Sequence, residues 1–172
     1  MKLLYPVISG LLLMLTLPAT GQDRLPSPDQ RPILTVSGAI AYGNDDRSDG
    51  PVARWDRAML EQLEQVTIKT TTDWTDGISV FKGPRVQDIL DRVGAEGDEV
   101  LATAINDYQV SIPISDFADY PVILAMTLDG RPLSRRDKGP LWIVYPRSDY
   151  PELQKPENNT KWIWQLKELI VQ

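Results

Sequence analysis

The sequence predicts an α+β domain: a mixed β-sheet, partly closed as a barrel, carrying a few short helices. Three observations lead there. Short β-rich runs recur between turn residues along most of the chain. Two segments carry apolar residues at helical spacing. The chain is 172 residues long, without a visible repeat, which suits one domain with a real core.

The elements follow in order. Residues Met1–Gly21 read as a secretory signal: Lys2 starts it, Leu3–Leu17 is largely apolar, and Ala19 and Gly21 sit at the minus-three and minus-one positions. The apolar run is short for a bilayer, which needs about 20 residues. Its removal takes away residues 1–21 and their one charge, Lys2. That leaves 151 residues and shifts the net charge from −6 to −7. Residues 22–32, with three prolines, read as a flexible lead-in, and 33–172 as the folded domain.

Ile33–Ile40 reads as the first strand and Gly43–Pro51 as an acidic polar loop; its Asp spacing does not match an EF-hand. Trp55–Leu63 has helical spacing. Val66–Thr72 alternates like a strand, and Val80-Phe81 opens another. In Pro84–Val93 a proline starts a helix, Val86, Ile89, Leu90 and Val93 form its apolar face, and Gly94 stops it. Val100–Ile105 and Tyr108–Ile112 flank Asn106-Asp107, a two-residue hairpin turn. Ser115-Asp116 caps a single helical turn. Val122–Leu128 reads as a strand, Asp129-Gly130 as a turn and Pro140–Tyr145 as a buried strand. Arg147–Asn159 is a proline-rich loop, and Trp162–Val171 fits helix and strand patterns equally.

Composition excludes much chemistry. The chain has no cysteine and no histidine. It therefore lacks an imidazole base, a Ser-His-Asp or Cys-His nucleophile system, and an ordinary zinc, copper, haem or iron–sulfur site. An acidic domain with scattered Lys and Arg argues against nucleic acid as partner. An exported chain of this size without disulfides suits a bacterial periplasm. What remains is a polar, aromatic cleft, better equipped to hold a ligand than to transform one.

Two loops carry the candidate site. Trp74 lies between Asp73 and Asp76 in a Thr- and Gly-rich loop leaving a strand, with Thr70, Thr71 and Thr72 before it. Asn106, Asp107 and Tyr108 offer a similar set on a second loop. Each also has a plainer reading: Trp74 as packing, Asp73 and Asp76 as turn residues, Asn106-Asp107 as hairpin formers, Tyr108 as a core-facing strand residue. Trp142 and Trp164 read as core, and Trp162 as an exposed contact. Arg135-Arg136-Asp137-Lys138 reads as a solvated turn before an anion site.

Val66–Gly83, the helix to Gly94, the hairpin Ala104–Pro113, and Asp137–Pro146 leading to Trp164–Val171 together resemble the molybdopterin-binding domain of the sulfite oxidase family, closest to its short periplasmic members. The resemblance implies a cysteine thiolate bound to molybdenum four residues before the tryptophan. Here that position is Thr70, and a neutral hydroxyl is a poor ligand for such a metal. The implied protein is a non-catalytic receptor without molybdenum cofactor that binds a pterin, tetrahydro- or dihydropterin. Members without the cysteine resemble pterin-response proteins that dock on the periplasmic domain of a membrane signalling enzyme, such as a cyclic-di-GMP synthase/hydrolase. The family also implies a cofactor-phosphate contact at Lys161, where Lys replaces Arg and loses bidentate geometry. Lys138 is a second basic candidate. Thr70, Thr72, Asp73, Trp74, Asn106, Asp107, Tyr108, Lys138, Lys161 and Trp162 are the expected ligand-binding set. A ligand-free interaction module and a molybdopterin oxidoreductase with an unusual metal ligand are the alternatives.

Overall fold

The computed structural model describes residues 25–47 and 50–172, without the side chains of Asp46 and Arg47. The expected signal segment lies outside the described residues. In chain order the elements are β1 (Leu34–Gly38), β2 (Asp45–Arg47), β3 (Gly50–Trp55), α1 (Arg57–Glu61), β4 (Gln65–Thr71), β5 (Ile78–Pro84), α2 (Val86–Arg92), β6 (Glu99–Ala104), β7 (Gln109–Pro113), α3 (Ser115–Asp119), β8 (Ile123–Ala125), β9 (Thr127–Leu128), β10 (Arg131–Pro132), β11 (Trp142–Val144), 3-10 turns at Pro151–Gln154 and Pro156–Lys161, and β12 (Leu166–Val171).

Three sheets result, in the orders β2-β3-β1-β12-β6-β7, β10-β9-β5-β4 and β11-β8. The first is mixed, because β1 and β12 run parallel while its other pairs are antiparallel. Among the described residues no sheet closes fully on itself, and the architecture is α+β with mixed sheets and a few short helices, as expected. Trp142, Tyr145, Phe81 and Phe117 are the bulkiest fully buried side chains of the core between them.

Several segments depart from expectation for identifiable reasons. Gly43–Pro51 is not a loop throughout: β2 pairs with β3, Asp45 opposite Val52. Trp55 ends β3, and α1 starts only after Asp56, whose carboxylate accepts the Met59 N–H at 2.9 Å. The other oxygen of Asp56 accepts the Gln30 N–H at 2.9 Å, and Leu25 is buried. Residues 25–32 are therefore packed down rather than a free lead-in. Pro84 ends β5 and leaves the start of α2 to Arg85.

Val122–Leu128 breaks at Met126 into β8, which pairs with β11, and β9, which pairs with β5. The crossing is close at Gly83, where a Cβ would lie 1.8 Å from the Leu124 carbonyl oxygen. The hairpin loop between β6 and β7 has three residues, 105–107, closed by Ala104 N–H to Tyr108 O at 2.9 Å, with Asp107 at φ 64°.

The ambiguous C-terminal segment is a strand. Its register shifts between Leu166 and Glu168. That bulge spaces buried Leu166 and Leu169 three apart, imitating a helical period inside a strand.

Candidate functional site

Three pieces of chain meet at a cavity of about 390 Å³, within the usual size of a small-molecule site, roughly 300–1,000 Å³. Trp74 comes from the β4–β5 loop, Ala104, Asn106 and Tyr108 from the β6–β7 turn, and Asn159 to Trp164, without Lys161, from the approach to β12. Tyrosine apart, no lining side chain is ionisable.

The aromatic wall is built around Trp74, whose ring centroid lies 5.4 Å from that of Trp164, 5.9 Å from Trp162 and 6.4 Å from Trp142. The pairs are edge-on or tilted, and of these rings Trp74 and Trp164 are the partly exposed ones. Lys138 Nζ sits 5.4 Å from the Trp142 centroid and 6.0 Å from that of Trp164, backing the wall as a cation–π contact.

The loop that carries Trp74 is held from both sides. Thr72 is buried; its hydroxyl accepts the Trp74 N–H at 3.0 Å and meets the Thr75 hydroxyl at 2.9 Å. Asp73 receives Arg147 Nη1 on one oxygen and Asn159 Nδ2 on the other. The Arg147 hydrogen bond and charge, helped by Asn159, hold the Asp73 carboxyl below its ordinary value against partial desolvation. Because a carboxylate only accepts, this contact also fixes which end of the Asn159 amide faces away. Its Oδ1 is buried and has no protein partner, as does the indole N–H of Trp162.

Thr70 is fully buried behind this loop. Its oxygen accepts the Ser148 N–H at 3.0 Å, and its hydroxyl lies 3.2 Å from the Ser148 hydroxyl. It staples β4 to the 147–149 turn and does not line the cavity. Lys161 also points elsewhere: its Nζ donates to Asp116 Oδ2 at 2.7 Å, an oxygen that the Tyr145 hydroxyl reaches at 2.9 Å. Burial, with Asp116 alongside, pushes the Tyr145 hydroxyl well above its ordinary value. Asp107 pairs with Lys167 on β12. Asn106 Oδ1 accepts the Tyr108 N–H at 3.2 Å.

Of the expected set, the cavity thus joins Trp74, Asn106, Tyr108 and Trp162. Thr72, Asp73 and Lys138 stand behind the wall, while Thr70, Asp107 and Lys161 are engaged in other contacts. Trp162 is 2% exposed rather than an outward contact. Trp164 is wall rather than core, and Tyr108 is half-exposed at 48% rather than core-facing. Sequence reasoning did not place Ala104, Asn159, Thr160, Ile163 or Trp164 in the site. A pair of amides directly upstream of two tryptophans, Asn158-Asn159 before Trp162 and Trp164, is the signal that was there to read.

Residues 56–167 match the family model described as the oxidoreductase molybdopterin binding domain. No curated protein matches the sequence. Among solved structures, the sulfane dehydrogenase SoxCD from Paracoccus pantotrophus matches with a TM-score of 0.57 at 16% identity, over 80% of this chain and 37% of that one. At that identity the likeness is one of fold, and the chain spans little more than a third of SoxCD's length.

Proposed function

The chain belongs to the oxidoreductase molybdopterin-binding domain family, and we propose that this protein is a non-catalytic, periplasmic pterin receptor. It relays occupancy of its cavity to the periplasmic domain of a membrane signalling partner, such as a cyclic-di-GMP synthase/hydrolase. One observation carries the reading: the chain has no cysteine, and the Thr70 hydroxyl at the corresponding position is buried against Ser148. A group in that state is in no position to ligate a soft-ligand metal.

The cavity fits a pterin ring better than it fits the rest of a molybdenum cofactor. A flat heterocycle with adjacent donors and acceptors suits a wall of Trp74 and Trp164, which are partly exposed, backed by Trp162. The unpartnered Asn159 Oδ1 and Trp162 N–H would gain partners after a small adjustment of the wall, and each such atom costs about 1–3 kcal/mol while unsatisfied. The lining supplies neither thiolate for molybdenum nor cation for a phosphate, so no redox step is assigned.

The relay works through the Trp74 loop. A ligand stacked on Trp74 shifts the exposed stretch from Asp76 to Ile78 that follows the tied part of the loop. A ligand shifts such a surface only by its difference in affinity for the two loop states. Titration with a tetrahydropterin or dihydropterin should quench tryptophan fluorescence, and Trp74→Ala should remove most of that quench. Equal binding of adenine or flavin would remove the basis for the reading.

A further inference from the structure

The segment from Arg131 to Lys138 is the cationic exception in an acidic protein. It holds Arg131, Arg135, Arg136 and Lys138 against Asp137 alone, a net +3 within a chain of net −6. Arg131, Arg135 and Arg136 are exposed, and none makes an ion pair among the described residues. Asp137 is occupied by the Ser134 hydroxyl at 2.8 Å.

An exposed turn of this composition is ordinarily mobile, yet this one is tied at several points. Asp137 N–H and Gly139 N–H both donate to Ser134 O, at 3.1 and 2.8 Å. Gln165 reaches across from the approach to β12: its N–H donates to Lys138 O at 3.0 Å, and its side-chain amide to Arg135 O at 2.9 Å and Asp137 O at 3.2 Å. To do so Gln165 sits at φ 52°, a left-handed conformation that costs a non-glycine residue energy. Three of its donors thus go to holding a loop whose three arginines make no ion pair among the described residues. Gln165 follows Trp164, which lines the cavity, and Lys138 of the same loop lies over the Trp164 ring.

We propose that the Arg131–Lys138 loop is a docking site for a carboxylate-rich segment of a partner protein. Unpaired, exposed guanidinium groups on a fixed frame suit bidentate contact with Asp and Glu side chains. Charge complementarity favours a compact acidic patch, because only a local contact escapes repulsion by the rest of an acidic domain. An anionic membrane fits less well: the loop exposes no aromatic side chain, its one leucine, Leu133, is buried, and a lipid surface requires no fixed loop shape.

The test uses the purified protein and a fluorescein-labelled decaglutamate peptide, followed by fluorescence polarisation at low and at physiological ionic strength. Vesicles containing phosphatidylglycerol form a parallel arm. The expected result is salt-sensitive peptide binding that Arg135→Glu/Arg136→Glu weakens about tenfold or more and Arg135→Lys/Arg136→Lys weakens less. Both variants should melt at the wild-type temperature; a shifted melt in the reversal variant makes Arg135→Gln/Arg136→Gln the deciding comparison. Peptide binding unchanged by any of these substitutions, no peptide binding, or vesicle binding as tight as peptide binding would each overturn the proposal. None of these outcomes depends on the pterin titration, so the two readings fail separately.

Discussion

Thr70 and Ser148, 78 residues apart in sequence, are joined twice: the Ser148 N–H reaches the Thr70 hydroxyl at 3.0 Å, and the two hydroxyls lie 3.2 Å apart. The position that the family resemblance assigns to a metal ligand is a structural staple in this chain. Thr70→Val keeps the shape and removes the acceptor, leaving a Ser148 N–H short of its partner. It should cost about 1–3 kcal/mol in urea unfolding, whereas Thr70→Ser should cost clearly less. Equal stability of Thr70→Val and wild type would mean the contact is not a staple.

The Asp73 clamp has a pH signature. Its carboxyl is held below the ordinary value first by the Arg147 hydrogen bond, so the unfolded chain binds the proton more tightly than the folded one. The clamp's contribution is therefore present above the unfolded carboxylate value, about 3.9, and is lost as pH falls through the lower folded value. Asp73→Asn should flatten that part of the acid limb of stability and loosen the Trp74 loop. Unfolding curves collected from neutral to acidic pH on both proteins make the check, and superimposable acid limbs would refute it.

Lys161 should matter for stability before ligand affinity. It shares Asp116 with Tyr145 in a largely buried group, and removing one partner leaves a carboxylate short of its cation. Lys161→Met should lower stability by about 2 kcal/mol, discounted from a fully buried pair. Affinity for an unphosphorylated pterin should stay near wild type in the same variant. A large loss of affinity without a stability change would restore Lys161 to the binding site.

Gly83 marks a close approach of β5 to β8. Since its absent Cβ would meet backbone at Leu124 and Ala125, Gly83→Ala should cost about 3 kcal/mol or more. Gly130→Ala, at φ 76° but in open space, should cost nearer 1 kcal/mol. Thermal melts of the two variants should rank accordingly.

How much of this was legible in the sequence varies with how local the cause is. The face of α2 was readable, because Val86, Ile89 and Leu90 follow helical spacing and Gly94 ends the run. The state of Leu166–Val171 was not, because a bulge whose position depends on β6 shifts the apolar phase. The break at Met126 was equally hidden, since two different partner strands impose it. In the site, Trp74 and the Asn106 turn could be found from loop chemistry. Asp107 and Lys161 had the right residue type, but Lys167 on β12 and Asp116 on α3 claim them. Asn159 was missed because its meaning comes from Asp73, 86 residues away.

The most direct test of the pterin-receptor reading is the content of the cavity in protein purified from its native host grown with ample molybdenum. Ligand extraction with mass spectrometry, alongside metal analysis of the same sample, should find a metal-free pterin in the protein. Stoichiometric molybdenum held through a dithiolene would contradict it.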